Sequence, residues 1–116
     1  MASRRQRRVA DLIHEELSGL LEHRVADPRL SDVTITAVEV TADLQQATIF
    51  YTALDNGEEH LRQIQHGLER AAGYLRRELA GAISLRHMPE LSFRFDDALA
   101  AGRRIEEILD SLREEE

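Results

Sequence analysis

Arg62, His66, Arg70, Gly73 and Arg77 follow one another at spacings of 4, 4, 3 and 4. On an ideal helix, at about 100° per residue, such spacings fall into one row. A row of cations containing a glycine suits phosphate. Guanidinium groups bind phosphate bidentately and stack on bases, and a residue without Cβ lets a phosphate or ribose approach the backbone. Arg76 flanks the row, and Arg4, Arg5, Arg7 and Arg8 form a second basic cluster of the kind that grips nucleic acid. The candidate phosphate- or nucleic-acid-binding residues are therefore Arg4, Arg5, Arg7, Arg8, Arg62, Arg70, Arg76 and Arg77. The plainer reading is a solvated helix face, with Glu59 and Glu69 placed to pair with some of the arginines, and a frayed basic terminus.

Other chemistries have less support. His14, His23, His60, His66 and His87 include no pair at the i, i+4 spacing of a helical zinc site. Asp96 and Asp97 are an acidic pair that can bind a cation, although acids between a strand and a helix more commonly cap or face solvent. Gly67 and Gly73 fit neither a P-loop nor a dinucleotide fingerprint, and Ser84 lacks the context of a nucleophile. The chain has no cysteine, which excludes disulfide and thiolate chemistry. A non-catalytic protein is expected, with no metal, cofactor or small-molecule substrate.

A net charge of −7 is unfavourable for a nucleic-acid binder, but its distribution is uneven. Eight acids and three arginines fall between Asp96 and Glu116, leaving 14 acids and 12 arginines in the rest. Every Lys-plus-Arg residue is arginine. Gene composition is the simple explanation, and bidentate phosphate binding is the physical consequence. Asp11, Glu15 and Glu16 interrupt any apolar segment of a signal peptide, and no run reaches the length of a membrane span. A soluble, cytoplasmic protein is expected.

The elements that must position these groups are readable from periodicity. Residues 4 to 25 form a helix, with Val9, Ile13, Leu17, Leu20 and Leu21 on one stripe; Pro28 ends it. Two strands follow, Val33 to Thr41 and Ala47 to Leu54, joined by a connection short enough for an antiparallel hairpin. Along the first, Val33, Ile35 and Ala37 share one parity and Val38 and Val40 the other, which predicts a bulge or burial on both faces. Asp55 or Asn56 is expected to cap a helical region whose stripe runs through Leu61, Ile64, Leu68, Ala72, Leu75, Leu79 and Ile83. Gly73 lies inside it at a cost of about 1 kcal/mol against alanine, so either something offsets the cost or the helix divides there. A division would leave unpaired N–H groups, a favourable anion site. A last strand, Leu91 to Phe95, precedes a C-terminal helix from Leu99 to Arg113. The whole is one α+β domain, residues 1–116, with a basic N-terminal arm at 1–8 and an acidic C-terminal helix at 97–116.

The segments "RRVADLIHEELSGLL", "DPRLSDVTITAVEVTADLQQATIFYT", "LERAAGYLRRELAGAISLRHMPELSFRFDDA" and "GRRIEEIL" resemble bacterial ribosome-binding factor A, in the right order over nearly the whole chain. The resemblance implies a type II KH-like fold, α-β-β-α-kink-α-β, with helices packed on a three-stranded sheet. In this family a kink stands in place of the Gly-x-x-Gly loop of other KH domains; here it corresponds to Ala71, Ala72 and Gly73. The implied function is a monomeric, non-enzymatic assembly factor. It would bind free 30S ribosomal subunits, assist late maturation and 16S rRNA processing, serve cold adaptation, and contact 16S rRNA near its 5′-terminal helix. Without Gly-x-x-Gly, the RNA groove of ordinary KH domains does not follow. The alternative is a small protein-interaction domain acting through its sheet edge or its C-terminal helix.

Overall fold

In the computed structural model, residues 2–97 are described. Helix α1 (Arg4–His23) leads through a short 3-10 turn (Pro28–Leu30) into strands β1 (Val33–Val40) and β2 (Gln46–Ala53). Helix α2 (Glu58–Ala82) then returns the chain to strand β3 (Glu90–Phe95). The sheet order is β1-β2-β3, with β1 antiparallel and β3 parallel to β2. This is the expected α+β sandwich of helices on a three-stranded sheet. The C-terminal helix from Leu99 to Arg113 lies outside the described residues.

Two expectations are corrected. Residues 71–73 are helical, and α2 is one uninterrupted element through them. Among the described residues no glycine has a positive φ, so Gly73 keeps ordinary helical geometry. The energetic reason lies in the stripe. Ile64, Leu68, Leu75 and Leu79 are fully buried on both sides of Gly73, and each buried side chain contributes about 1.5–3 kcal/mol. One glycine, at about 1 kcal/mol, does not outweigh that seam. As expected of a helix that starts at residue 4, Arg4 onward is α-helical, and the basic cluster forms its first turns. Ser3 accepts a hydrogen bond from the Gln6 amide at 3.1 Å, and Gln6 Oε1 accepts one from the Ser3 amide at 2.8 Å, a capping box. The α2 cap also differs. Gly57 occupies the N-cap, while Asp55 Oδ1 accepts from the Gly57 amide at 2.8 Å one step earlier.

The parity change in β1 is a bulge. Ile35 pairs with Tyr51 and Ala37 with Phe50, so Thr36 is the extra residue. That one insertion puts Val33, Ile35, Val38 and Val40 on the same face as Ala47, Ile49, Tyr51 and Ala53. Thr36 is then free to donate its hydroxyl to Asp96 Oδ2 at 2.6 Å, so this acid serves structure. Against the buried face of the sheet pack Ile13 and Leu17 of α1 and the α2 seam.

Polar ties fix α2 on the sheet. The Tyr51 hydroxyl donates to Gln65 Oε1 at 2.6 Å, and Gln65 Nε2 donates to the Phe93 carbonyl at 2.8 Å, joining β2, α2 and β3. Near the start of α2, His60 Nε2 meets both carboxylate oxygens of Asp32, at 3.1 and 3.2 Å. Gly67 is a closely packed glycine. A Cβ there would lie 3.3 Å from Leu30 Cδ2 and 3.4 Å from Asp27 Oδ2, because the 3-10 turn rests directly on the α2 backbone.

Candidate nucleic-acid interface

The eight arginines separate into groups. Arg4, Arg5, Arg7 and Arg8 occupy the first turns of α1, all exposed, with no acid in the first turn. The end they decorate is rigid. Between them, Gln6 completes the capping box and also donates through Nε2 to the Val40 carbonyl at 2.9 Å, locking α1 to β1. Arginines at a helix N-terminus oppose the macrodipole, each at about 0.3–1 kcal/mol. The fold gains nothing from that placement.

On α2, Arg70, Gly73 and Arg77 share the exposed face, with His66 also exposed. Tyr74 joins them, 37% exposed, an aromatic ring beside two cations. The space around Gly73 is open. A Cβ placed there would meet only Arg77 Nη1, at 3.6 Å, an ordinary contact. The two remaining α2 candidates are otherwise engaged. Arg62 pairs with Glu59 at 3.2 Å on the surface, and Arg76 donates to the Met88 carbonyl at 2.8 Å in the α2–β3 loop. Arg4, Arg5, Arg7, Arg8, Arg70 and Arg77 have no side-chain hydrogen bond or ion pair among the described residues.

Between the helices runs an open groove lined by Glu15, Glu16 and His23 of α1, by Arg24 just after it, and by Arg77 and Glu78 of α2. Its charge is mixed, and Arg24 is held by Glu78 at 3.3 Å. Arg77 is the unpaired cation that borders this groove; Arg70 lies on the exposed face of α2, and Arg4, Arg5, Arg7 and Arg8 on the first turns of α1. Arg70 also adds a small favourable field at Asp27. That carboxyl is held below its usual range first by its side-chain and backbone hydrogen bonds with Arg29.

Sequence reasoning missed three groups. Tyr74 carries no signal beyond its place beside Gly73. Arg86 and His87, in the loop before Pro89, come beside Arg5 at the hairpin end of the molecule. An arginine and a histidine followed closely by a proline mark them as loop residues, but not as neighbours of α1. Among the described residues there is no cluster of three or more His, Asp or Glu suited to a metal, and no helix long and apolar enough to cross a membrane.

Fold and surface together define an α+β domain, two helices on a three-stranded mixed sheet, that presents arginines unpaired on both helices. The comparison with known proteins carries the assignment further. The family model for ribosome-binding factor A matches residues 5–109, and the chain belongs to that family. It is 47% identical over 103 residues to the ribosome-binding factor A of Coxiella burnetii (strain Dugway 5J108-111), covering 89% of this chain and 85% of the relative. With the Syntrophobacter fumaroxidans ribosome-binding factor A it shares 44% identity over 117 residues and the full length of both chains. The crystal structure of ribosome-binding factor A from Thermus thermophilus superposes with a TM-score of 0.69 at 24% identity, covering 78% of this chain and 93% of that one, and bears on the fold alone. A Thermus thermophilus ribosome-binding factor A homology model fitted into the cryo-electron-microscopy map of a 30S complex matches with a TM-score of 0.58 at 26% identity, over 84% of this chain and 97% of that one.

Proposed function

We propose that this protein binds free 30S subunits as a non-catalytic, monomeric, cytoplasmic assembly factor. In that role it assists late maturation and 16S rRNA processing, above all in the cold. The contact is to 16S rRNA, near its 5′-terminal helix, through Arg70 and Arg77 around Gly73 and through the α1 cluster Arg4, Arg5, Arg7 and Arg8. One observation carries the reading: these arginines are exposed and have no side-chain partner among the described residues, on α1 where the fold derives no benefit from them and on α2 around a glycine where there is room for a Cβ. Family membership supports the partner. Arg62 and Arg76, each held by a neighbour, take a lesser part.

The test is co-sedimentation with 30S subunits. Arg70→Glu combined with Arg77→Glu abolishes it while the melting temperature stays within a few degrees; unchanged binding would refute the assignment. In the milder double alanine variant two phosphate contacts are lost. The slope of log K against log salt should then fall in magnitude by about 1.4–1.8.

The alternative, strand pairing at the sheet edge, has less support on the β1 side. The carbonyls of Ile35 and Val40 there already meet His14 at 3.1 Å and Gln6 at 2.9 Å from α1. Dimerisation in sedimentation, or 30S binding indifferent to salt, would favour that alternative.

A further inference from the structure

Between the first turns of α1, the tip of the β1–β2 hairpin and the α2–β3 loop lies a recess of about 100 Å³. Val9, Leu44, Leu85 and Pro89 give it apolar walls, while Arg5 and Arg86 bring guanidinium groups and His87 an imidazole to it. None of these three has a side-chain hydrogen bond or ion pair among the described residues. Asp43, the acid of the recess, does not neutralise them. Its Oδ1 accepts from the Thr41 hydroxyl at 2.6 Å and from the Gln45 amide at 3.0 Å. Those bonds hold the Asp43 carboxyl below its usual range, so it is an acceptor at neutral pH.

The wall itself is strained. Leu44 has a φ of 61°, the left-handed region, and is the one non-glycine residue there among the described residues. A leucine rarely adopts it, and such outliers concentrate at ligand sites. Here the turn drives the leucine side chain against the recess. A planar ring fits apolar walls of this size, an amino group on its edge fits the Asp43 carboxylate, and a phosphate fits the two guanidinium groups.

We infer that this recess holds one unstacked nucleotide of single-stranded RNA, its base between Leu44, Leu85 and Pro89 and its phosphate on Arg5 and Arg86. The inference rests on the RNA-binding reading above and adds a second contact, separate from the Gly73 face.

The experiment is an NMR titration of the full-length, 15N-labelled protein with a mixed-sequence single-stranded RNA hexamer. The expected result is shifts at the amides of Leu44, Gln45, Leu85 and His87, absent with the same sequence as a duplex, whose bases stay stacked. Arg86→Glu weakens the hexamer by roughly tenfold or more, as expected when a phosphate contact turns repulsive. Arg5→Ala and His87→Ala serve as second and third variants if that protein melts early. Equal shifts with inorganic phosphate would overturn the inference in favour of a bare anion site. Tighter binding of a free mononucleotide than of the hexamer would overturn it in favour of a metabolite site, and equal shifts with an acidic peptide in favour of a protein ligand. If wild-type protein fails to co-sediment with 30S subunits, the functional reading falls, and the hexamer titration still judges the recess. If 30S binding holds and the hexamer leaves these amides unmoved, the recess falls alone.

Discussion

Replacing Gly73 by alanine separates two explanations of the same residue. If Gly73 exists for the fold, through a bend or a close contact, alanine destabilises the protein. The structure argues the opposite. Gly73 sits well inside the 25-residue helix α2, its φ is not positive, and the new Cβ would find its nearest neighbour at 3.6 Å, the flexible end of Arg77. Alanine therefore gains nearly the full interior helix preference, about 0.8–1 kcal/mol, with part of that gain arising from a less flexible unfolded chain. For a domain of this size the melting temperature should rise by about 4 °C. Binding should move the other way. If an RNA phosphate or ribose lies against this backbone, the methyl group displaces it and costs a charge-assisted contact of about 1.5–3 kcal/mol, roughly tenfold or more in affinity. Thermal melting by circular dichroism and 30S co-sedimentation, run on the same preparation, give both signs. A lower melting temperature would show that the fold needs this glycine, and unchanged 30S affinity would show that nothing approaches it.

Gly67→Ala should behave differently, because its Cβ meets Leu30 at 3.3 Å and Asp27 at 3.4 Å; the helix gain is largely offset, and denaturant midpoints stay close to wild type. Gly67→Val overpacks the 3-10 turn and should lower stability by about 1–3 kcal/mol in urea unfolding. Stability against pH should fall at both ends. Asp27 is held low by Arg29, and Asp43 by Thr41 and Gln45. Burial pushes Asp32 up, but the Asp55 amide and His60 outweigh it, so it too lies below the usual carboxylate range. For carboxyls depressed in the fold, stability is present above the unfolded pKa of about 3.9 and is lost as pH falls through the lower folded values, so urea midpoints should drop below about pH 4. Burial and, to a lesser extent, Glu69 raise the Tyr51 hydroxyl. Stability from its neutral form is therefore kept below about pH 10 and lost above it. Tyr51→Phe should remove that alkaline limb while costing about 1 kcal/mol for the lost bond to Gln65.

Much of the fold is legible in the sequence because apolar spacing and β-branched runs report burial directly. The α1 stripe is buried as read, and the parity change in β1 points to a bulge that falls at Thr36, between Ile35 and Ala37. The expected break at Ala71–Gly73 fails because it weighs glycine against local propensity alone, whereas the helix is held by its buried seam on both sides. Partnership is the least legible property of the candidate site. Arg76 and Arg77 are adjacent in sequence, yet about 100° of helical rotation sends one to the Met88 carbonyl and leaves the other beside Gly73. Arg86 and His87 lie in a loop, where no periodicity announces which element they approach. Only the packing of α1 against the hairpin end brings Arg5 to them.

The acidic total and the basic sites are compatible once distance is considered. Exposed charges are largely screened beyond about 8 Å at physiological ionic strength. A polyanion approaching α1 therefore feels the nearby arginines far more than the chain's sum of −7. Close to the surface, the relevant fact is that Asp27 and Glu59 already have arginine partners in Arg29 and Arg62, as Glu78 has in Arg24. The acids nearest the helices thus consume one set of arginines, and a different set stays unpaired at the α1 end and around Gly73. Had Arg70 and Arg77 been a merely solvated face, pairing of the Arg62–Glu59 kind would be the economical arrangement along all of α2. On α2, Arg62 has a carboxylate partner and Arg76 a carbonyl, whereas Arg70 and Arg77, on either side of Gly73, have neither among the described residues, and that contrast on a single helix is the structural argument for a ligand there.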